Sequence, residues 1–154
     1  MIDSPEIVDA PAQKTAMIHL TVPASDIMKV MGPGIQEVRD VLASQGLEAT
    51  GPWFTHHLKM PGQTFDFEIC LPVDHDVKPQ GRVVPGEIRA ARTARTVYRG
   101  GYESLGQGWG EFMAWIKAQD LTPADDLWEA YVTGPESGSD GTGYATQLNR
   151  PLKG

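Results

Sequence analysis

Glu129 and Tyr131 place a carboxylate and a phenol two residues apart, the pair in this sequence best suited to bind or act on a small molecule. They lie in the apolar segment 126–133, which is typical of a strand, and a turn rich in Gly and Ser is predicted at 134–138. Because side chains alternate along a strand, both residues share one face with Leu127. The opposite face, which suits a core, consists of Trp128, Ala130 and Val132.

The strand alone leaves two interpretations of Glu129 open. A buried carboxylate is costly unless a partner compensates it, so Glu129 at the floor of a pocket would await a ligand. Charged residues are mostly exposed, however, and the same pattern suits an ordinary solvated sheet face. The elements around the strand have to decide between the two.

The composition indicates a single globular domain over residues 1–154, with 40% apolar and 21% charged residues. A net charge of −7 argues against direct DNA binding, which draws its affinity from Lys and Arg on phosphates. The single cysteine, Cys70, excludes an intrachain disulfide, and its apolar neighbours favour a buried residue over a nucleophile. The sequence has no signal-like start and no apolar run long enough for a membrane, which predicts a cytoplasmic protein without a membrane partner.

Weak identities that occur in the same order predict a duplication, with halves at about 5–73 and 86–152 and a polar connector at 74–85. The three matches are 6–15 with 87–96, 43–47 with 117–121, and Pro72 with Pro151. Their offsets are 81, 74 and 79 residues. The change from 81 to 74 indicates about seven extra residues in the first half, which we place at 25–31.

Each half has the same predicted elements, a strand, a helix and two more strands. Pro33 suits the first turn of the first helix and Gly46 its end, and the second helix has an apolar face that includes Trp109 and Phe112. The repeated β-α-β-β pattern predicts an α+β fold with two main helices on antiparallel strands, a pseudo-twofold axis and a central ligand cleft. The predicted strands are 15–22, 53–60 and 64–72, then 88–98, 127–133 and 144–151.

The offset of 74 sets Thr55 over Glu129 and His57 over Tyr131, so the strands of the two halves are expected to face each other across the cleft. Aromatic candidates have core packing as their alternative role, which the helical spacing of Trp109 favours. Glycines between Tyr98 and Tyr102 let a ligand or another backbone come close. Besides Glu129 and Tyr131, the candidate ligand-binding residues are Trp53, Thr55, His57, Glu68, Tyr98, Tyr102 and Trp109.

Four motifs resemble the GyrI-like superfamily, which includes effector-binding domains of AraC- and MerR-type multidrug regulators and gyrase-inhibitory proteins. They are Gly-Pro-Trp-Phe-Thr at 51–55, Asp-Phe-Glu-Ile-Cys-Leu-Pro-Val at 66–73, Tyr-Arg-Gly-Gly-Tyr-Glu-Ser-Leu at 98–105 with Trp109, and Trp-Glu-Ala-Tyr at 128–131. The resemblance implies a cleft for small, often cationic and aromatic compounds, with the family's glutamate at Glu129 and its aromatic neighbour at Tyr131. The sequence departs from the family where Arg-Tyr usually follows Phe-Thr, since His56 and His57 stand there.

The resemblance implies three candidate functions. The first is a free-standing protein that sequesters or senses aromatic, often cationic compounds, with no DNA-binding segment of its own. The alternative is a hydrolase that detoxifies cyclopropane-bearing electrophiles, in which Glu129 acts on water and Tyr131 holds the ring system. The third is an interaction protein that shields a target such as gyrase.

The sequence predicts no metal site and no cofactor. His56 and His57 are adjacent on a strand and point to opposite faces, and no Cys or acid stands at zinc spacing. The glycines of the second half lack the Lys and Ser or Thr of a phosphate loop. The expected partner is a small aromatic or cationic ligand, and the sequence leaves open whether the protein forms a homodimer.

Overall fold

The structure, a computed structural model, describes residues 2–60, 62–133 and 143–153. These form two long helices and eight strands, in the order β1 (Glu6–Ala10), β2 (Gln13–Pro23), α1 (Ile27–Ser44), β3 (Phe54–His57), β4 (Thr64–Pro72), β5 (Val84–Ile88), β6 (Ala91–Arg99), α2 (Leu105–Ala118), β7 (Leu127–Thr133) and β8 (Ala145–Pro151). A short 3-10 turn precedes each helix, at Ala24–Asp26 and Tyr102–Ser104. The predicted α+β class is confirmed. The turn predicted at 134–138 lies outside the described residues.

The chain divides into two compact units, each with four antiparallel strands and one long helix. The N-terminal unit is Pro11–Ala90, and the C-terminal unit is Ala91–Gly154 together with Met1–Ala10. The N-terminal unit has the strand order β5-β2-β4-β3, and the C-terminal unit has the order β1-β6-β8-β7. One end strand of each unit, β1 or β5, is therefore supplied by the segment that leads into the opening strand of the other half.

The strand registers show where the sequence repeat is right and where it is wrong. Phe54 pairs with Cys70 as Trp128 pairs with Asn149, which agrees with the predicted offsets of 74 and 79. The offset of 81 for the opening strand is wrong, because Thr15 pairs with Pro72 as Thr93 pairs with Pro151, an offset of 78. The strand predicted at 88–98 is β6, which begins at Ala91, whereas Ile88 ends a separate strand, β5, that pairs with a different neighbour.

The extra residues of the first half lengthen its helix. Helix α1 has 18 residues and α2 has 14, a difference of four that matches the change in offset from 78 to 74. Pro33 therefore lies inside α1 and not in its first turn as predicted. The ring removes one intrahelical hydrogen bond, and α1 continues through it because the following residues, Gly34 and Ile35, are buried against the sheet.

Each helix packs its apolar stripe on the strands of its own unit. In the N-terminal unit Ile35, Val38 and Leu42 of α1 join a core with residues of β2 and β4, and Val73, Val77 and Val83 of the connector complete it. In the C-terminal unit the core cluster consists of Ala94, Tyr98, Trp109, Phe112, Ile116, Leu127 and Leu148. Strand β7 thus lies with its Leu127 face under α2. None of the helices among the described residues is long and apolar enough to cross a membrane.

Both helices end in the same left-handed turn, but with different residues. Gly46 has φ 70° and Asp120 has φ 55°, and in each case the next residue donates to a carbonyl of the last helical turn. A side chain at positive φ is strained, so we expect Gly46→Ala to lower the free energy of unfolding by about 1 kcal/mol and Asp120→Gly to raise it by about 0.5–1 kcal/mol. Urea denaturation measures both, and Gly32→Ala, with open space around its Cβ, is the control within α1. If Gly46→Ala and Asp120→Gly changed the free energy of unfolding in the same direction, the positive φ angle would not be the cause.

Candidate functional site

The Glu129 side chain is buried in the C-terminal unit, where both of its oxygens accept hydrogen bonds. The indole Nε1–H of Trp109 donates to Oε2 at 2.5 Å, and the hydroxyl of Tyr131 donates to Oε1 at 2.9 Å. Glu129 is 7% exposed, Trp109 7% and Tyr131 8%. The interpretation of Glu129 as a residue on a solvated face is therefore wrong, and the pocket-floor interpretation has the burial it requires.

Burial and hydrogen bonding act on the protonation of Glu129 in opposite directions. Burial raises the pKa of its carboxyl above the ordinary value because the charged form loses its hydration. The hydrogen bonds from Trp109 and then Tyr131 lower the pKa because they stabilise the carboxylate, but burial is the larger effect. The net effect is a pKa above the ordinary value for a glutamate carboxyl.

Strand β7 is covered on the face that the sequence left open between a pocket floor and solvent. Leu127, Glu129 and Tyr131 are all buried there, whereas on the face predicted to suit a core Ala130 is buried, Trp128 is half-buried and Val132 is 50% exposed. The Arg95 guanidinium lies 5.8 Å from the centre of the Trp128 ring, a cation–π distance. The prediction ranked faces by apolar content, but the position of α2 decides which face is covered.

Helix α2 brings Trp109 to Glu129 because Trp109 lies on the same stripe as Phe112 and Ile116. The Trp109 and Phe112 rings are in contact at 5.7 Å between centroids, and both are buried. The sequence left core packing and ligand binding as alternatives for Trp109. The structure shows that one ring packs in the core and also donates its N–H to the carboxylate.

Three tyrosine rings form a chain of contacts that begins at the Glu129 carboxylate with Tyr131. Tyr102, on the 3-10 turn before α2, contacts Tyr131 edge-to-face at 6.0 Å and Tyr144 at 5.0 Å between ring centroids. Tyr144 was missed as a candidate because it opens the predicted strand 144–151, outside the four motifs that carried the family resemblance, and in the structure it directly precedes β8. Its signal in the sequence was the offset of 79, which sets Tyr144 over Phe65.

Tyr98, another candidate, is packed inside the C-terminal unit. It is 3% exposed, belongs to the core cluster, and its hydroxyl donates to the backbone carbonyl of Gly101 at 3.0 Å. These contacts fix the loop that leads to Tyr102. A part for Tyr98 in ligand contact stays a prediction.

The other four candidates lie in the N-terminal unit, around strands β3 and β4. Thr55 and His57 are buried and hydrogen-bonded to each other, Oγ1 to Nε2, at 3.1 Å, and the His57 ring stacks on Phe67 at 5.3 Å. Burial, and then the neighbouring His56, lowers the pKa of His57 to about 4. Glu68 pairs with His56 Nδ1 at 2.9 Å, and Trp53 packs on the core just before β3. Their role in ligand binding stays a prediction.

The remaining reactive side chains give no second chemical centre in the part of the chain that the structure describes. Cys70 is buried, and burial raises the pKa of its thiol well above the usual range, which confirms the prediction of an unreactive residue. Within residues 2–60, 62–133 and 143–153, no group of three or more His, Cys, Asp or Glu side chains is placed to hold a metal ion. An open groove at the C-terminal half of α2, lined by Met113, Lys117, Leu121 and Pro123 among others, includes none of the residues around Glu129.

Comparison with known proteins decides the family. The family model described as the GyrI-like small molecule binding domain matches residues 3–145. The chain belongs to this family. The GyrI-like assignment confirms the resemblance that the four sequence motifs carried, and with it the small-molecule-binding character of the domain. No curated protein sequence matches the chain.

Solved structures share the GyrI-like fold at low sequence identity. The C-terminal domain of EcmrR is 22% identical with a TM-score of 0.86, and the match covers 97% of both chains. EcmrR in a complex with DNA is 23% identical with a TM-score of 0.85, and the match covers 97% of this chain but 57% of that one. SAV2435 bound to tetraphenylphosphonium is 12% identical with a TM-score of 0.68, and the match covers 99% of this chain and 95% of that one. At these identities the likeness shows the fold alone.

We expect Glu129→Gln to change how stability depends on pH. Because burial raises the pKa of Glu129, the folded protein keeps a proton on this carboxyl that the unfolded chain releases above about pH 4.3. The group therefore stabilises the fold fully below that pH, and its contribution is lost as pH rises through the raised pKa. Relative to Glu129→Gln, the wild-type free energy of unfolding should fall by roughly 1–3 kcal/mol by neutral pH.

Urea denaturation between about pH 4 and pH 8 measures this difference. Glu37→Gln is the control, because the Arg82 guanidinium lowers the pKa of Glu37, so its contribution is lost only on the acid side of this window. Parallel profiles for wild type and Glu129→Gln would show that burial does not control the protonation of this carboxyl.

Proposed function

We propose that this GyrI-like domain binds small, aromatic, delocalised cations at Glu129. The observation that carries the proposal is the buried carboxylate held between an indole N–H and a phenol O–H. A buried acid with a raised pKa gains most from a ligand that supplies the missing positive charge. The domain would accordingly sequester such compounds or sense them.

The aromatic side chains around Glu129 suit the same ligand class. Tyr102, Tyr131 and Tyr144 form a contiguous set of rings, and Trp109 adds an indole on the other side of the carboxylate. A cation over such a ring gains about 0.5–2 kcal/mol, with more where water is excluded. Rings also bury the apolar surface of an aromatic ligand, which a carboxylate alone does not.

The half-buried position of Tyr102 supports it as the ring that a ligand meets first. Tyr131 and Tyr144 are each 8% exposed, whereas Tyr102 is only partly covered. Tyr102 lies on a short 3-10 turn directly after Gly100 and Gly101, and Gly100 has φ 138°, which favours glycine. Ligand entry toward Glu129 then requires side-chain movement in this aromatic set, because Trp109 and Tyr131 already occupy both oxygens.

The known structures with this fold support the ligand class by analogy. SAV2435 has been crystallised with tetraphenylphosphonium, a bulky aromatic cation without a hydrogen-bond donor. A cation whose charge is spread over apolar rings loses less hydration free energy on burial than a compact ion does, so its attraction to a buried carboxylate can exceed that loss. Among the described residues of the C-terminal unit, the contacts around Glu129 favour neither the hydrolase nor the gyrase-directed alternative over binding.

Calorimetric titration with tetraphenylphosphonium tests the proposal. We expect Glu129→Gln to weaken this cation by about 1–3 kcal/mol, or roughly ten- to a hundredfold, because the amide keeps the shape and removes the charge. Binding of neutral triphenylphosphine oxide should change little. The matched control is Glu111→Gln, which removes an exposed acid from the outer surface of α2.

Two results would contradict cation recognition by Glu129. Equal weakening of the cation and the neutral compound would assign the effect to folding. Equal affinity of wild type and Glu129→Gln for the cation would remove Glu129 from the site. Incubation of the wild type with a strained cyclopropane electrophile, followed by a search for a ring-opened hydroxylated product, separates the hydrolase from the binder.

A further inference from the structure

The Tyr98 ring makes the tightest approach between β6 and the start of α2. A Cβ added to Gly108 would lie 2.5 Å from Cδ1 of Tyr98, against 3.4 Å or more in ordinary contact. The ring has no room to move away, since Tyr98 is 3% exposed and its hydroxyl is held by the Gly101 carbonyl. Only a glycine at position 108 allows the helix to lie this close to the strand.

The other two glycines at the start of α2 are not needed for packing. A Cβ at Gly106 or at Gly110 would meet nothing within 4 Å. Each glycine in a helix interior lowers helix stability by about 0.5–1 kcal/mol relative to alanine. Packing accounts for a glycine at position 108 but not at positions 106 and 110. The distinguishing feature of Gly108 is the Tyr98 ring.

We propose that Tyr98 is a positioning residue for the proposed ligand site, and that its ring against Gly108 holds the Trp109 indole on Glu129. Gly108 and Trp109 are neighbours in α2, so the distance between α2 and β6 at Gly108 also sets the distance between the indole Nε1–H and Oε2. The effect on ligands rests on the proposed function, but the indole position does not.

The hydrogen bond between Trp109 and Glu129 tolerates only a limited shift of α2. The donor and acceptor are 2.5 Å apart, and an N–H···O hydrogen bond requires a separation of no more than about 3.2 Å and a nearly straight angle. Relieving a Cβ contact of 2.5 Å requires a shift of roughly 1 Å, because packed interiors hold no free space of that size. A shift of the first turns of α2 by that amount separates the indole from the carboxylate.

The same ring also fixes the other side of the aromatic set. The Tyr98 hydroxyl holds Gly101, the residue before Tyr102, and Tyr102 contacts Tyr131. One buried side chain therefore supports two groups of the site, the indole donor through Gly108 and the Tyr102 ring through Gly101. Selectivity for a cation depends on both, because the indole stabilises the charged carboxylate.

Gly108→Ala and Gly106→Ala are a matched pair for the test. Both add one methyl group to the same helix and gain the same helix propensity, but only the first methyl group meets the Tyr98 ring. The readout is the indole N–H resonance of Trp109 in the ligand-free protein, assigned among the four tryptophans by its loss in Trp109→Phe. We expect an upfield shift and faster hydrogen exchange in Gly108→Ala, and an unchanged signal in Gly106→Ala.

Tyr98→Leu provides an independent route to the same result. Alone it removes the support under Gly108 and should also move the indole resonance, while the double variant Gly108→Ala with Tyr98→Leu should restore it, because the smaller side chain accepts the added methyl group. If Gly108→Ala does not fold, Tyr98→Leu by itself decides. An indole resonance unchanged in either single variant, or displaced in both and not restored in the double variant, overturns the proposal.

Ligand titration then separates this proposal from the proposed function. We expect the preference for tetraphenylphosphonium over triphenylphosphine oxide to fall about tenfold in Gly108→Ala and to stay at the wild-type value in Gly106→Ala. A moved indole with an unchanged preference would overturn the link between Tyr98 and selectivity. Absence of cation binding in the wild type, with the indole shift still present, would contradict the ligand class and leave the positioning role supported.

Discussion

Burying one carboxylate is the constraint on which the arrangement of the C-terminal unit depends. An acid that is 7% exposed must find donors for its oxygens, and Glu129 finds one on a helix and one on its own strand. Tyr131 is available because residues two apart on a strand share a face. Trp109 is available because α2 packs on the sheet of its own unit, and the close contact of Gly108 with Tyr98 of β6 allows this packing. The hydrogen bond that stabilises the Glu129 carboxylate thus depends on how α2 packs.

The N-terminal unit has no acid at the strand position that corresponds to Glu129. In the N-terminal unit the register sets Thr55 at the place of Glu129 and His57 at the place of Tyr131. There the buried polar pair is a hydroxyl and an imidazole whose pKa, lowered to about 4 by burial, keeps the ring neutral at physiological pH. The same strand position therefore accepts a neutral or an ionisable group, and the indole donor from the helix accompanies the ionisable one. Ile35, at the offset of 74 from Trp109, has no donor to offer.

The sequence predicted the repeat and most strands because hydrophobic alternation and order survive in a duplication even when identities are few. It missed the exchange of β1 and β5 between the halves, since a strand pattern does not say which neighbour a strand pairs with. It placed Pro33 in a first turn because proline favours that position locally, whereas the buried Gly34 and Ile35 hold the helix together through it. It left the burial of the Glu129 face of β7 open because apolar content does not reveal where a helix will lie. The pairing of Trp109 with Glu129, 20 residues apart, follows from tertiary packing that no local pattern contains.

Under the proposed function, the kind of cation that binds depends on whether contacts in the site replace the water contacts that the ion loses on entry. Glu129 has one oxygen occupied by Trp109 and the other by Tyr131, so a compact ammonium ion would give up several water contacts and find few acceptors in exchange. A charge spread over aromatic rings holds its water weakly and loses little on entry. Its attraction to the carboxylate acts at a distance through a medium of reduced dielectric, which does not require a direct hydrogen bond. The tyrosine rings then contribute contacts with apolar surface that a hydrated ion lacks. The two hydrogen bonds that stabilise the buried acid therefore also disfavour ligands that depend on several direct hydrogen bonds to this carboxylate.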